Sequence, residues 1–326
     1  MSTSIFAVAP IYLALLLASY IVVLLPLDWL AWKAEVKYGL SRKSLSAWFR
    51  HFIIGSLLGL IFGVAFFYVV YISFFGVGRW WWLATGLIAL GGDVLVRRFL
   101  LQRLISLRHR LVPIENPCIT DRLKKAAEKS GTRIQSFLQM KVKKETPSAN
   151  AMVGGLGKKK AIFFTDTLLD AFSEEEIETV AAHELGHERH AHLTKSIFIN
   201  FAVITLSLLV AHFGLLFLSL LFSHRGIREP ADLAAFPLLL FFLIVYALVI
   251  TPACSAISRQ MERTADRFAL KLSGEPKAFA AALEKLAEMN LIDPDPPWFV
   301  RVISRAPAPR ERIKAAKTLA EREERV

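Results

Sequence analysis

The sequence predicts a mainly helical membrane protein with a part outside the bilayer in which helices accompany a small sheet. Hydrophobic residues make up 54% of the 326-residue chain and the mean hydropathy is +0.44, which is too apolar for an ordinary soluble protein. Five stretches approach or exceed the roughly 18–20 apolar residues that a helix needs to cross a bilayer. They lie near residues 6–27, 52–76, 80–96, 197–222 and 234–256.

The first and third stretches differ from the others. The first has no Lys or Arg before Lys33, so it lacks the basic segment of a cleaved signal peptide and we expect it to remain as a span. The third is short and contains Asp93 near its end. It begins with three consecutive tryptophans at 80–82, which are typical of a membrane interface. We therefore count it among the five spans.

The basic residues are distributed unevenly along this predicted topology. The chain has 40 Lys and Arg residues and a net charge of +12, and all but Arg79, Arg225 and Arg228 fall on one side of the membrane. The positive-inside rule then places the N-terminus outside, with the 97–196 segment and the C-terminal tail in the cytoplasm. The charge thus indicates topology and contact with anionic lipid, and no nucleic-acid partner is expected.

The sequence pattern changes from helix to strand between the third and fourth spans. The basic stretch from Arg97 to Arg110 and the segment from about Asp121 to Ser130 have helical character. Residues 133–166 then alternate as strands do, and two of the strands flank a turn rich in glycine and lysine. Either the lysines protect a sheet edge from aggregation, or the edge is open and an extended substrate adds to it as a further strand.

The helix after these strands has a clear start. Ser173 to Glu176 form a capping box, and three acids in the first turn suit the positive end of the helix dipole. We expect this helix to run to about His192 and to lead into the fourth span.

An H-E-x-x-H motif at residues 183–187 lies on this helix. Residues four apart share a helix face, so His183 and His187 are predicted to present two imidazoles to one Zn²⁺. Glu184 is then placed to take a proton from water beside the ion. The alternatives are histidines on the helix surface or a surface pairing of Glu184 with Arg189. Two histidines leave the site incomplete, because catalytic zinc usually takes three protein ligands.

Glu262 is the predicted third ligand. A short loop, residues 224–233, joins the fourth and fifth spans into a hairpin, so the segments on either side of it emerge together. Asp266, one helix turn beyond Glu262, is predicted to accept a hydrogen bond from the outer nitrogen of a ligand histidine. Ordinary pairing of Glu262 with Arg259 and Arg263 on a solvated helix is the alternative.

These motifs resemble those of the integral-membrane zinc metallopeptidases of the gluzincin type that include the CAAX prenyl endopeptidases and the HtpX proteases. Besides H-E-x-x-H, the resemblance rests on Ser258-Arg-x-x-Glu262-x-x-Ala265-Asp266, Asn150-Ala, Gly155-Leu-Gly-Lys, Asp166-Thr-Leu-Leu, His192, Lys195, Asn290-Leu and Arg312-Ile. It covers most of residues 30–315, and the stretch from Glu35 to Ser41 is closer to the CAAX branch. It implies a zincin-like α+β catalytic domain.

The resemblance also implies roles for further residues. They are Asp266 and His192 in support of the zinc ligands, and Asn150, Ala151 and Arg312 in substrate binding. One departure concerns a His-Pro pair that the family usually has about five residues before Arg312. This chain has Ala306-Pro307 there. If the histidine stabilises the tetrahedral intermediate, its loss lowers activity or alters specificity, or Arg312 replaces it.

Four parts are expected along the chain. They are residues 1–96 with three spans, 97–196 with the H-E-x-x-H helix, 197–256 with the hairpin, and 257–326 with the third ligand. The expected function is a zinc-dependent endopeptidase with one Zn²⁺ per chain in the inner membrane of a prokaryote. It hydrolyses peptide or protein substrates, prenylated or otherwise lipidated or themselves membrane proteins, at the cytoplasmic face.

Three other functions remain possible from the sequence. One is an HtpX-like quality-control protease, and another is a membrane chaperone or scaffold whose zinc is structural. A metal transporter is disfavoured because the candidate ligands flank the spans. Within the spans, His212 is expected to be hydrogen-bonded to its helical neighbours.

Overall fold

The computed structural model describes residues 2–157, 159–222 and 236–323. The predicted loop at 224–233 and Lys158 of the predicted turn lie outside this part of the chain. The chain divides into two compact units. The first comprises residues 1–34, 44–93 and 197–250, and the second comprises residues 35–43, 94–196 and 251–326.

Long apolar helices form the first unit. Its segments belong to α1 (Ser2–Lys37), α2 (Leu45–Val77), α3 (Trp81–Leu95), α8 (His192–Phe222) and α9 (Phe236–Ser273). Four stretches of the described chain are long and apolar enough to cross a membrane. One of them, Leu45–Ser106, contains both the second and the third predicted spans. A 3-10 turn at Gly78–Trp80 separates these spans, and Gly78 has a φ of 54° there. The predicted helical membrane architecture is confirmed.

A buried polar pair lies among these helices. Trp81 is fully buried, and its indole Nε1 donates a hydrogen bond to His212 Nδ1 at 3.0 Å. His212 is therefore hydrogen-bonded to a residue of a neighbouring helix, as the sequence analysis expected.

The second unit contains a four-stranded mixed sheet. Its strands are β1 (Arg110–Pro113), β2 (Ser136–Lys141), β3 (Ala151–Gly154) and β4 (Ala161–Thr165), in the order β1-β2-β4-β3. β2 and β4 are parallel, and the outer strands pair antiparallel to them. β4 is buried throughout its length, whereas β3 lies at an edge of the sheet.

The prediction of a helix from Arg97 to Arg110 is wrong for its last residues. The chain forms a π-helical turn at Val96–Leu100 and then α4 (Leu101–Ser106), but Arg110 begins strand β1. Leu111 and Val112 pair with Met140 and Gln139 of β2, and these distant partners determine the extended conformation.

Helices pack on this sheet to form the core beneath the candidate site. They include α5 (Pro117–Ser130), α6 (Asp166–Ala171), α7 (Glu174–Arg189) and α10 (Pro276–Met289). Leu123 of α5, Phe164 of β4 and Leu185 of α7 are fully buried in one cluster. Two further helices, α11 (Trp298–Ile303) and α12 (Pro309–Glu323), complete the described chain.

Helix α7 begins where the sequence predicts. The Ser173 side chain accepts from the Glu176 backbone N–H, and the Glu176 carboxylate accepts from the Ser173 N–H. The helix ends at Arg189, three residues before the expected end, because Ala191 adopts a left-handed φ of 53° that breaks it from α8.

Candidate active site

Helix α7 places the two motif histidines on one face. One helix turn separates them, and their Nε2 atoms lie 3.1 Å apart with both rings half-buried. Two imidazole nitrogens this close together can both bind one metal ion.

Glu262 on α9 completes the group. Its Oε2 lies 3.3 Å from His183 Nε2, and its Oε1 lies 3.4 Å from His187 Nε2. Donors bound tetrahedrally to zinc at about 2.0–2.1 Å are roughly 3.3 Å from one another. The three separations of 3.1, 3.3 and 3.4 Å therefore fit a single zinc ion. Within the described residues, this is the one group of three that suits a metal ion.

A glycine in α7 allows α9 to come this close. An added Cβ on Gly186 would lie 3.0 Å from the Cα and carbonyl oxygen of Ala265 and 3.3 Å from the Phe268 Cβ. Because Gly186 lies between the two histidines and Ala265 lies three residues after Glu262, the two backbones meet beside the three donors. The glycine of the motif thus has a packing role that the sequence analysis missed.

Asp266 supports the first histidine from behind. Its Oδ1 lies 2.9 Å from His183 Nδ1, the nitrogen that faces away from the other donors. Arg312 of α12 holds this carboxylate in turn, donating from Nε at 2.8 Å and from Nη2 at 2.6 Å. The Arg312 guanidinium also lies 4.0 Å from Glu262. Asp266, which the sequence predicted beside His183, is therefore held between that histidine and Arg312 in a partly buried chain of contacts.

His192 contacts the second histidine. It is buried at the start of α8, and its Nδ1 lies 2.9 Å from His187 Nδ1. This pair of ring nitrogens fixes the orientation of the His187 ring, with one nitrogen donating and the other accepting.

Glu184 points toward the sheet edge. Its carboxylate is buried, and Oε2 accepts a hydrogen bond of 2.7 Å from the backbone N–H of Val153 in β3. Burial raises the pKa of Glu184, although the charge of His183 and the Val153 N–H act in the opposite direction. A raised carboxyl pKa is what a group needs in order to take up and release a proton near neutral pH. No pattern in the sequence indicates the contact with Val153, because its donor is a backbone group.

The two histidines have very different pKa values. Burial disfavours the charged form of His183, but hydrogen bonding to Asp266 and Glu262 outweighs burial and raises its pKa to about 9. Burial and the nearby charge of His183 lower the pKa of His187 to about 4. Without an ion, the site therefore holds its proton on His183.

The predicted substrate residues lie in the same cavity as the donors. The cavity has a volume of about 230 Å³. Its polar lining residues and the adjoining alanine are Asn150, Ala151, His183, Glu184, His187, Glu262 and Arg312. Asp266 and His192 lie behind the two histidines, outside this lining. The structure therefore brings together every site residue that the sequence predicted.

Asn290 fixes the entry to β3. Its Oδ1 accepts from the Ala149 N–H at 3.1 Å, and its Nδ2 donates to the Ala149 carbonyl at 2.9 Å. The side chain thus pairs with the backbone as a neighbouring strand would. The family resemblance included Asn290, but no local pattern indicated this contact.

A model of peptidase family M48 matches residues 113–320, which is more than half of the chain. The chain belongs to peptidase family M48. It is a multi-pass membrane metallopeptidase of this family, as the sequence resemblance implied, and it acts on peptide or protein substrates.

Relatives of this M48 peptidase come from both branches named by the resemblance. "Uncharacterized metalloprotease YhfN" of Bacillus subtilis is 27% identical over 90% of this chain and 70% of its own length. CAAX prenyl protease 1 of Saccharomyces cerevisiae is 23% identical over 87% of this chain and 67% of its own. A protease HtpX homologue of Syntrophotalea carbinolica is 35% identical, over 46% of this chain and 52% of its own.

A solved structure confirms the fold of the M48 peptidase. The crystal structure of S. mikatae Ste24p superposes with a TM-score of 0.79 at 21% identity, covering 94% of this chain and 75% of the other. At this identity the likeness concerns the fold.

Proposed function

We propose that this M48 peptidase is a zinc-dependent endopeptidase in which His183, His187 and Glu262 hold one Zn²⁺. The observation that carries the proposal is the convergence of three donors from two helices at separations of 3.1–3.4 Å. A zinc ion bound there polarises the scissile carbonyl and lowers the pKa of water. The remaining chemistry belongs to residues of the chain.

Glu184 is the proposed general base. Its carboxylate takes a proton from the attacking water as the water oxygen bonds to the carbonyl carbon. It then delivers that proton to the leaving nitrogen as the carbon–nitrogen bond breaks. The Val153 N–H holds the carboxylate in position for both steps, and burial keeps its pKa above the ordinary value.

The edge of β3 is the proposed binding site for the substrate backbone. Thr165 N–H donates to the Asn150 carbonyl, so the Asn150 backbone faces β4. Because backbone groups alternate between the two edges of a strand, those of Ala151 and Val153 face the opposite edge, on the side of Glu184. An extended peptide that pairs with this edge lies across the cavity that contains the zinc donors.

Arg312 and the Asn150 side chain are the proposed polar contacts to the substrate. Both line the cavity. The Nε and Nη2 groups of Arg312 are engaged by Asp266, so Arg312 also positions the carboxylate that supports His183.

The proposed substrates are prenylated or otherwise lipidated peptides, cleaved at the cytoplasmic face of a prokaryotic inner membrane. CAAX prenyl protease relatives from yeast and rice align with 87% and 81% of this chain, whereas HtpX homologues from Limosilactobacillus fermentum and Syntrophotalea carbinolica each align with 46% of it. Cleavage of unfolded membrane proteins, as the HtpX likeness suggests, is the second candidate. Parallel assays on a farnesylated peptide and on unfolded casein distinguish the two.

The direct test of the mechanism is the Glu184→Gln variant. It should keep its zinc, because Glu184 is not one of the three donors, and lose about 10²–10⁴-fold in kcat/KM. Glu178→Gln is the matched control, since Glu178 lies on the same helix but pairs with Arg122 far from the cavity. If Glu184→Gln cleaves the substrate at the wild-type rate, Glu184 is not the general base.

The same variant separates a peptidase from a scaffold with structural zinc. A structural site has no use for a buried carboxylate directed at a sheet edge. If the wild-type protein binds zinc but cleaves neither substrate above the Glu184→Gln background, the scaffold function is favoured.

A further inference from the structure

Helix α11 carries an exposed apolar stripe. Trp298 is 76% exposed, and Phe299 and Ile303 are each 55% exposed. Val302, one turn after Trp298, is also exposed, as Ile303 is one turn after Phe299. Residues four apart share a helix face, so these four side chains form one continuous surface. Large apolar surfaces of this kind mark contact with a protein or a membrane.

One side of α11 borders a cavity of about 440 Å³. Val300, which is half-buried, and Val302 at the margin of the stripe line this cavity together with Arg259 and Ile292. The side chains of Trp298, Phe299 and Ile303 do not line this cavity, so the stripe that they form faces away from it.

Helix α9 holds α11 in place. The Ser255 hydroxyl donates to the Ile303 carbonyl at 2.8 Å. The Arg259 guanidinium donates to the carbonyls of Arg301, Val302 and Ser304 at 2.8, 3.1 and 2.8 Å. These bonds satisfy carbonyls at the C-terminal end of α11, where a helix has no internal donors.

The attachment lies at the polar end of a candidate membrane span. From residue 236 to residue 258 helix α9 contains no charged side chain, and Arg259 is the first one that follows. Ser255 and Arg259 therefore lie where the uncharged part of α9 ends and its charged part begins. α11 is bonded to α9 at that level.

The composition around the stripe suits an anionic membrane surface. Trp and Phe are favoured where the hydrocarbon meets the headgroups. Three arginines flank the stripe, Arg301, Arg305 and Arg310. Asp295 pairs with Arg301 and Arg310, whereas Arg305 is exposed to its surroundings. Guanidinium groups at this position attract lipid phosphates.

We propose that α11 is a membrane-surface anchor that inserts Trp298, Phe299 and Ile303 into the bilayer leaflet from which α9 emerges. The expected depth is that of the headgroup–acyl boundary, about 5–10 Å. The proposal does not depend on catalysis. The anchor is attached close to the candidate site along α9, because Arg259, which binds α11, lies three residues before Glu262.

The test places a fluorescent label on the stripe of the full-length protein. Cys118→Ser and Cys254→Ser remove the native thiols, and Trp298→Cys or, in a second variant, Phe299→Cys carries an environment-sensitive dye. The protein is reconstituted into phosphatidylcholine–phosphatidylglycerol vesicles with a doxyl quencher at a shallow acyl position. The control label is on Lys124, which is well exposed on α5.

Quenching of either stripe label several-fold above the Lys124 label is the expected result. The quenching should not change when the protein is diluted with lipid, because the lipid itself is the contact. Equal quenching at all three positions overturns the proposal. Stripe fluorescence that depends on protein density, without lipid quenching, overturns it too and indicates a second copy of the chain as the partner.

Discussion

The chemistry of the candidate site depends on where single protons reside. His183 is in contact with two acids, Asp266 and Glu262, whereas His187 contacts Glu262 with one ring nitrogen and His192 with the other. The pKa of His183 is therefore raised, whereas the pKa of His187 is lowered. The first ring prefers the charged form without an ion, and the second is neutral.

This difference predicts that zinc affinity rises with pH. The pKa of His183 is raised to about 9, so below that pH an incoming ion must displace one proton. His187, with a pKa near 4, is already neutral at pH 6 and adds no further proton. The apparent affinity should increase about tenfold per pH unit between roughly pH 6 and 8 and level off near the His183 pKa.

Competition with a chelator of known pH dependence measures this slope. Asp266→Asn is the comparison variant, because loss of the carboxylate lowers the His183 pKa and should flatten the slope. A wild-type affinity that does not change with pH contradicts the proton assignment.

At the scale of secondary-structure elements, the site depends on the close approach of α7 and α9. The helices meet at Gly186 and Ala265, where a Cβ on the glycine would lie 3.0 Å from backbone atoms. Backbone atoms cannot rotate away as a side chain can, so any larger residue must separate the helices.

Gly186→Val is therefore expected to move Glu262 away from the histidines and to reduce bound zinc well below one per chain. The measurement is zinc content after dialysis against a weak chelator. Gly92→Val is the matched control, because Gly92 also lies within a helix and no atom lies within 4 Å of its added Cβ. Stoichiometric zinc in Gly186→Val shows that the close approach is not required.

The sequence predicted the elements whose signals are local. The capping box and the spacing of the histidines involve only neighbouring residues, and α7 begins where they indicate. Strand β1 was missed because Leu111 and Val112 become a strand only by pairing with β2. The Asn290 side chain pairs with Ala149, 141 residues away, and no local pattern encodes such a contact.

The sequence also predicted all three donors of the proposed zinc site, for two different reasons. His183 and His187 follow from helix geometry alone. Glu262 followed from the predicted hairpin, which brings the ends of two spans together, and from the family resemblance. The Val153 N–H that holds Glu184 is a backbone group, so no residue type indicates it.

On the scale of the whole molecule, the chain combines apolar helices with a polar unit that contains the candidate site. Exposed apolar side chains are numerous on α1, α2, α8 and α9. In a membrane protein such surfaces contact lipid, and the basic residues determine the side on which the polar unit lies.

The topology predicts that Cys118 is accessible only from the cytoplasm. Cys118 is exposed in the polar unit, so in a Cys254→Ser background it is the single target for a thiol reagent. A membrane-impermeant maleimide should label it in permeabilised bacterial cells and not in intact ones. Arg79→Cys in a background with both Cys118→Ser and Cys254→Ser is the opposite control and should react in intact cells. The reverse pattern contradicts the cytoplasmic placement.

The central claim is that His183, His187 and Glu262 hold one zinc ion, and zinc analysis of purified variants tests it most directly. Wild type should contain one zinc per chain, with nitrogen and oxygen ligands at about 2.0–2.1 Å by X-ray absorption. Glu262→Ala should lose the metal. Glu311→Ala, which removes an exposed carboxylate paired with Arg263, should retain it. Full zinc content with unchanged ligand distances in Glu262→Ala would contradict the account.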